Sequence, residues 1–282
     1  MIAGLLLIAG GAAAGMFGSL LGLGGGILIV PLLTLGFGRP LREAVAVSLV
    51  CVIVTSSAAA GAYLRGRVAN LRLGTVLALF TTIGALAGAL LAFVVPERAL
   101  AGLFALMLAY VAYSMGRAGL RARKEPAPTP PPATVPGTEP ASREPAAMPP
   151  AGPLDGPGYR VRRIRPASVA SLGAGVMAAL LGVGGGVINV PTMHLLMGVP
   201  LRVATATSNL MIGVTAVASA IIYLLRGGLD PYLAGPTAVG VFVGASVGAR
   251  VAHRIDVRLL RLLFVVVLTW TAFQMALRAI AP

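Results

Sequence analysis

LLGLGGGILIVPLLTLGFGRPLR, Leu20 to Arg42, returns 160 positions later as LLGVGGGVINVPTMHLLMGVPLR, Leu180 to Arg202, with 13 of 23 positions identical. Each copy sets three consecutive glycines inside an apolar run: Gly24, Gly25, Gly26 and Gly184, Gly185, Gly186. Every glycine costs about 1 kcal/mol relative to alanine in a helix, so the triplets favour a break. Pro31 and Pro191 then remove a backbone donor from the first turns of whatever helix follows. Irregular backbone at membrane depth is tolerated only where protein buries it or water reaches it. Paired interruptions in the two halves of a membrane protein point to a transporter's substrate site.

Composition places the chain in a bilayer. Hydrophobic residues are 57% of 282, charged residues 11% and mean hydropathy +0.93, which excludes an ordinary soluble domain. The net charge of +14 would suit nucleic acid if it were spread over a surface. Instead nine of the 22 basic residues fall between Arg117 and Arg165 and most others in short loops, a positive-inside pattern that argues against a nucleic-acid partner. The lone Cys51 rules out an internal disulfide and a Cys-based zinc site, and reads as a small helix filler.

Outward from the repeat, the expectation is an all-α polytopic membrane protein of about eight apolar segments in two four-segment repeats. Repeat 1 occupies residues 1–116, repeat 2 residues 167–282, and 117–166 joins them. The joining stretch holds 13 of 21 prolines and basic runs at both ends, so it is expected to be a disordered, cytoplasmic linker. Ile27 to Phe37 is too short to cross about 30 Å of hydrocarbon at about 1.5 Å per residue, so it is half of a broken span or a re-entrant helix. If the broken segments cross, basic residues divide 14 to 8. If they turn back, the division is 17 to 5, the five being Arg39, Arg42, Arg98, Arg226 and Arg278. The second obeys the positive-inside bias better and makes the repeats inverted.

All eight acidic residues lie in loops or at span ends, so no buried carboxylate offers a proton relay, and no nucleotide-phosphate, zinc-hydrolase or serine-hydrolase motif occurs. The expectation is a transporter without cofactor or metal, and not an enzyme. A half-helix starting after each glycine run presents unpaired N–H groups and a positive dipole end, which suits a small oxyanion; the competing reading is that the glycines only let helices pack. Candidate substrate-binding residues are Gly24, Gly25, Gly26, Ser48, Gly184, Gly185, Gly186, Asn189, Ser208 and Asn209. Ser48 and Ser208 occupy equal repeat positions, and a mid-span amide such as Asn209 is costly without a partner. His194 is a candidate for proton movement, Arg42 and Arg202 for gating, although a structural donor and snorkelling anchors explain them too.

The matching stretches Gly22 to Pro31 with Pro40 to Ser48, and Gly182 to Pro191 with Pro200 to Asn209, resemble the TauE/SafE family, also grouped as the 4-toluene sulfonate uptake permeases. The likeness covers both membrane halves; the long Pro-rich linker departs from the short connection associated with the family. The resemblance implies a secondary carrier that moves sulfite, sulfoacetate or related organosulfonates, often outward; the expectation is a carrier in the cell membrane coupled to an ion gradient, protons first, although the sequence identifies no coupling residue. The rival readings are a carrier for another small solute and a non-transporting membrane scaffold.

Overall fold

The computed structural model describes residues 2–21, 25–65, 69–124, 154–155, 159, 161–251 and 257–280, at some helix ends and at residue 202 by backbone alone. Gly24, and residues 125–153 with the disorder expected of them, lie outside these. The described residues form ten α-helices and no strand: α1 Ile2–Leu21, α2 Gly26–Pro31, α3 Leu41–Arg65, α4 Leu71–Val94, α5 Glu97–Lys124, α6 Ile164–Leu181, α7 Gly186–Pro191, α8 Leu201–Leu225, α9 Pro231–Val251 and α10 Val257–Ile280. Six of them contain stretches long and apolar enough to cross a membrane, and 4–18 and 26–36 are shorter apolar helical stretches. Large apolar side chains such as Leu79, Ile83, Leu90, Phe242, Val243 and Phe273 lie exposed on outer faces, a surface suited to lipid.

The glycine breaks form where expected. α2 and α7 each end on their proline and continue as five-residue π-helical segments, Leu32–Gly36 and Thr192–Leu196. The pyrrolidine ring presses on the carbonyl four residues back and offers no N–H, so the helix widens there. Gly182 caps α6 at φ 66° and Gly184 turns the chain at φ 70°, left-handed values that a Cβ disfavours.

Helix ends depart from the hydropathy boundaries in both directions. α5 runs past Met115 to Lys124 because arginine and lysine are good helix formers once the span has left the apolar layer. α6 starts at Ile164 with Pro166 in its first turn, where no N–H partner is lost. Between these helices, Leu154, Tyr159 and Arg162 dock on the body. Asn70 Nδ2 donates to Leu154 O at 3.0 Å and to Tyr159 Oη at 2.8 Å, Arg162 N donates to Met197 O at 3.2 Å, and Tyr159 is buried with Leu73, Met193 and Met211. Asn70 also caps α4 by accepting from Leu73 N at 3.1 Å. Asn70→Ala is expected to cost about 2 kcal/mol, cap and buried partners together, and Tyr159→Phe about 1 kcal/mol. Thermal unfolding in detergent should show both losses in that order.

The most extensive helix packing joins residues before the Pro-rich segment to residues after it: α1 on α9, α6 on α4, α5 on α10, and α3 on α8. Glycines set these contacts. A Cβ on Gly240 or Gly244 would strike the carbonyls of Ile8 and Ala12, and one on Gly84 or Gly88 those of Leu172 and Val176. Both pairs run parallel, since partners advance together along the two chains.

Loop contacts define two ends. At one, Arg42 Nε and Nη2 donate to Ala92 O and Val95 O at 2.9 and 2.8 Å, Arg226 lies 5.7 Å from the Phe93 ring centroid, and Arg39, Arg98 and Arg278 surround one crevice. At the other, Asn70, Tyr159 and the turn after Met197 meet. The five basic residues of the 17-to-5 division therefore share one end. α1 starts beside the first turns of α9, at that end, and Gly38 to Pro40 lies there too; α6 starts at the opposite end, to which its own break returns.

Candidate functional site

The two breaks meet beside the middle of α3 and α8. Ser48 Oγ donates to Gly182 O at 2.6 Å and lies 3.2 Å from Gly26 O, and a Cβ on Gly26 would fall 2.5 Å from Gly182 O. Gly184 faces Val52 and Ile212, and Gly186 faces Ile212 and Ser208. Val52 stands about 16 Å along α3 at about 1.5 Å per residue, so this junction is near mid-span. Ser56 Oγ adds a second crossing tie, donating to Asn209 O at 2.5 Å.

The halves contribute unequally. On the first break Ser48 is spent on a carbonyl, and the position matching Asn189 is Ile29, fully buried. On the second, Asn189 is 2% and Ser208 1% exposed, and among the described residues neither Asn189 Oδ1 nor Ser208 Oγ has a hydrogen-bond partner. Asn189 Nδ2 sits 3.1 Å from where a Gly185 Cβ would be, and Ser208 Oγ 3.5 Å from that of Gly186. A buried polar atom left unpaired costs about 1 to 3 kcal/mol, so such a pair beside bare glycine backbone is an uncompensated cost to the fold. The amide can turn over, so it presents either an acceptor or two donors.

Of the candidates read from sequence, Gly25, Gly26, Ser48, Gly184, Gly185, Gly186, Asn189 and Ser208 are brought together. Asn209 is buried one residue on, contributing its carbonyl to Ser56. Arg42 is not at the junction; its guanidinium ties α3 to the carbonyl end of α4, where positive charge also suits the dipole. His194 is exposed near the Tyr159 end, its Nδ1 2.9 Å from Val199 O, bracing the turn into α8. The side chain of Arg202 lies outside the described residues. Sequence reasoning passed over Ser171 on α6, whose buried Oγ is also without a partner. A serine in an apolar run carries no signal by itself, and its repeat counterpart is Gly11.

A family model described as Sulfite exporter TauE/SafE matches residues 7–275. The chain belongs to that family. It is 24% identical over 280 residues to the "Probable membrane transporter protein YunE" of Bacillus subtilis (strain 168), covering 96% of each chain. No solved structure matches it. Membership in the TauE/SafE family makes the chain a multi-pass membrane transporter of a small solute, and places the junction of broken helices in a protein of that class.

Proposed function

We propose that the chain is a secondary carrier exporting a small sulfur oxyanion, sulfite or an organosulfonate, across the cell membrane. The observation that carries this reading is the unpartnered pair Asn189 and Ser208 beside the Gly184 to Gly186 backbone, in a chain whose family is described by sulfite export. Amide, hydroxyl and main-chain N–H groups suit an anion without burying a counter-cation. Among the described residues no carboxylate lies at the junction, so none there repels it.

In this reading residues 1–116 and 167–282 are inverted repeats around the junction, and the Pro-rich linker with the 17 basic residues on its end is cytoplasmic. Among the described residues the junction offers no titratable side chain, so a proton gradient would act through the substrate's own ionisation: sulfite, or sulfoacetate at its carboxyl, leaving in the singly charged form carries one proton out and is driven by a gradient acid on the side it leaves. The test is flux from proteoliposomes loaded with sulfite, sulfoacetate or chloride, with and without a pH gradient. Export of a sulfur oxyanion accelerated by the gradient is the expected result. Equal rates for all three anions, or none above empty vesicles, would refute it.

A further inference from the structure

We propose that the end of the molecule opposite the Tyr159 contact holds one anionic phospholipid, its phosphate among Arg39, Arg98 and Arg278 and a chain in the apolar groove below them. The crevice there measures about 440 Å³ and is lined by these three arginines, with Glu97 the one carboxylate among its lining residues. Arg39 is partly engaged by Glu43 at 3.8 Å, while Arg98 and Arg278 are exposed and have no ion pair or hydrogen bond among the described residues. Only five basic residues belong to this end, and three converge on one spot. Basic pockets between membrane helices suit phospholipid headgroups, and guanidinium forks suit phosphate.

The second observation concerns what lies beneath. A groove of about 340 Å³, almost wholly apolar, is walled by Gly10, Ala13, Leu32, Leu35, Gly36 and Trp270. Val267 and Thr271 of α10 line the groove, and Met275 and Arg278 line the crevice. These four are spaced i, i+4, i+8 and i+11, one stripe of one helix, with Thr271 about 10 Å below Arg278. On the facing wall the chain passes from Leu35 and Gly36 in the groove to Gly38 and Arg39 in the crevice. Headgroup and chain sites are thus consecutive along the membrane normal, the layout of a lipid rather than of a free anion. The duplication does not impose the feature: 160 positions away, Arg39, Arg98 and Arg278 correspond to Val199, Arg258 and Ala118, and Gly36 to Leu196.

The experiment is native mass spectrometry of the full chain in detergent, titrated with phosphatidylglycerol, phosphatidylcholine or soluble glycerol phosphate. One tightly bound phosphatidylglycerol is expected, preferred over phosphatidylcholine by roughly thirtyfold, the effect of two arginines beside an anionic headgroup. R98Q/R278Q should abolish the preference, and A13W, which fills the groove at an exposed position without altering charge, should weaken both lipids at an unchanged unfolding midpoint. Equal binding of the two lipids, a preference that survives R98Q/R278Q, or glycerol phosphate competing as well as phosphatidylglycerol would each overturn the assignment. The last would make the crevice a port for soluble anions.

Discussion

Gly244→Leu is expected to leave almost no correctly folded protein, and Gly244→Ala to cost at least about 3 kcal/mol. A Cβ at Gly244 would lie on the Ala12 carbonyl, while one at Gly15 on the opposing helix would clash with the Val241 carbonyl, so each helix already rests its backbone on a glycine of the other. Neither side has a flexible side chain to yield. Relief requires the helices to part, which forfeits dispersion contacts along the α1–α9 pair, the main source of helix association in lipid. Gly175 on α6, facing the Thr81 carbonyl of α4, should respond like Gly244. Gly173 and Gly235 meet nothing within 4 Å, so alanine there should be neutral or stabilising by up to about 1 kcal/mol. Size-exclusion profiles and unfolding midpoints in detergent decide the matter; a Gly244→Leu protein that elutes and melts like the parent would refute the packing account.

Asn189→Leu should lower sulfur-oxyanion efflux roughly tenfold to a hundredfold, the worth of one or two hydrogen bonds to a charged group, while leaving the unfolding midpoint unchanged or raised. The stability half follows because Asn189 Oδ1 is buried without a partner, so an apolar side chain of similar size removes a desolvation cost and breaks no bond. Ser208→Ala should act the same way and more weakly. Ser48→Ala should behave oppositely in stability: it deletes the 2.6 Å bond to Gly182 O and is expected to lower the midpoint by about 1 kcal/mol equivalent. Lost flux with preserved stability at 189 and 208 marks a binding site. Lost stability at those positions, with flux falling only in proportion to folded protein, would mark them as packing residues.

The sequence carried the breaks more clearly than it carried their partners. Triple glycine followed by proline has few other physical outcomes in an apolar run, and Leu41–Arg65 and Leu201–Leu225 begin at the Pro-Leu-Arg turns read from the repeat. The equal repeat positions of Ser48 and Ser208 suggested equal roles, yet one ties the breaks together and the other is free. That difference comes from what faces each serine across the junction, which spacing within one strand of sequence does not encode. Asn70 had a readable signal, an N-cap residue ahead of an apolar run, but its bonds to Leu154 and Tyr159 join stretches far apart in sequence. Arg42 was left with two readings for a related reason: an arginine at a span boundary is ambiguous until the helix end that it caps is in view.

The exchange of α1 and α6 between the halves bears on biogenesis. α1 is synthesised well before α9, and its glycine seam has no mate until α9 has been made, so it must wait in lipid with that seam exposed. α4 is likewise kept waiting until α6 arrives. Neither half contains its own closest packing, so a gene severed between them should yield two unstable fragments that recover only when co-expressed.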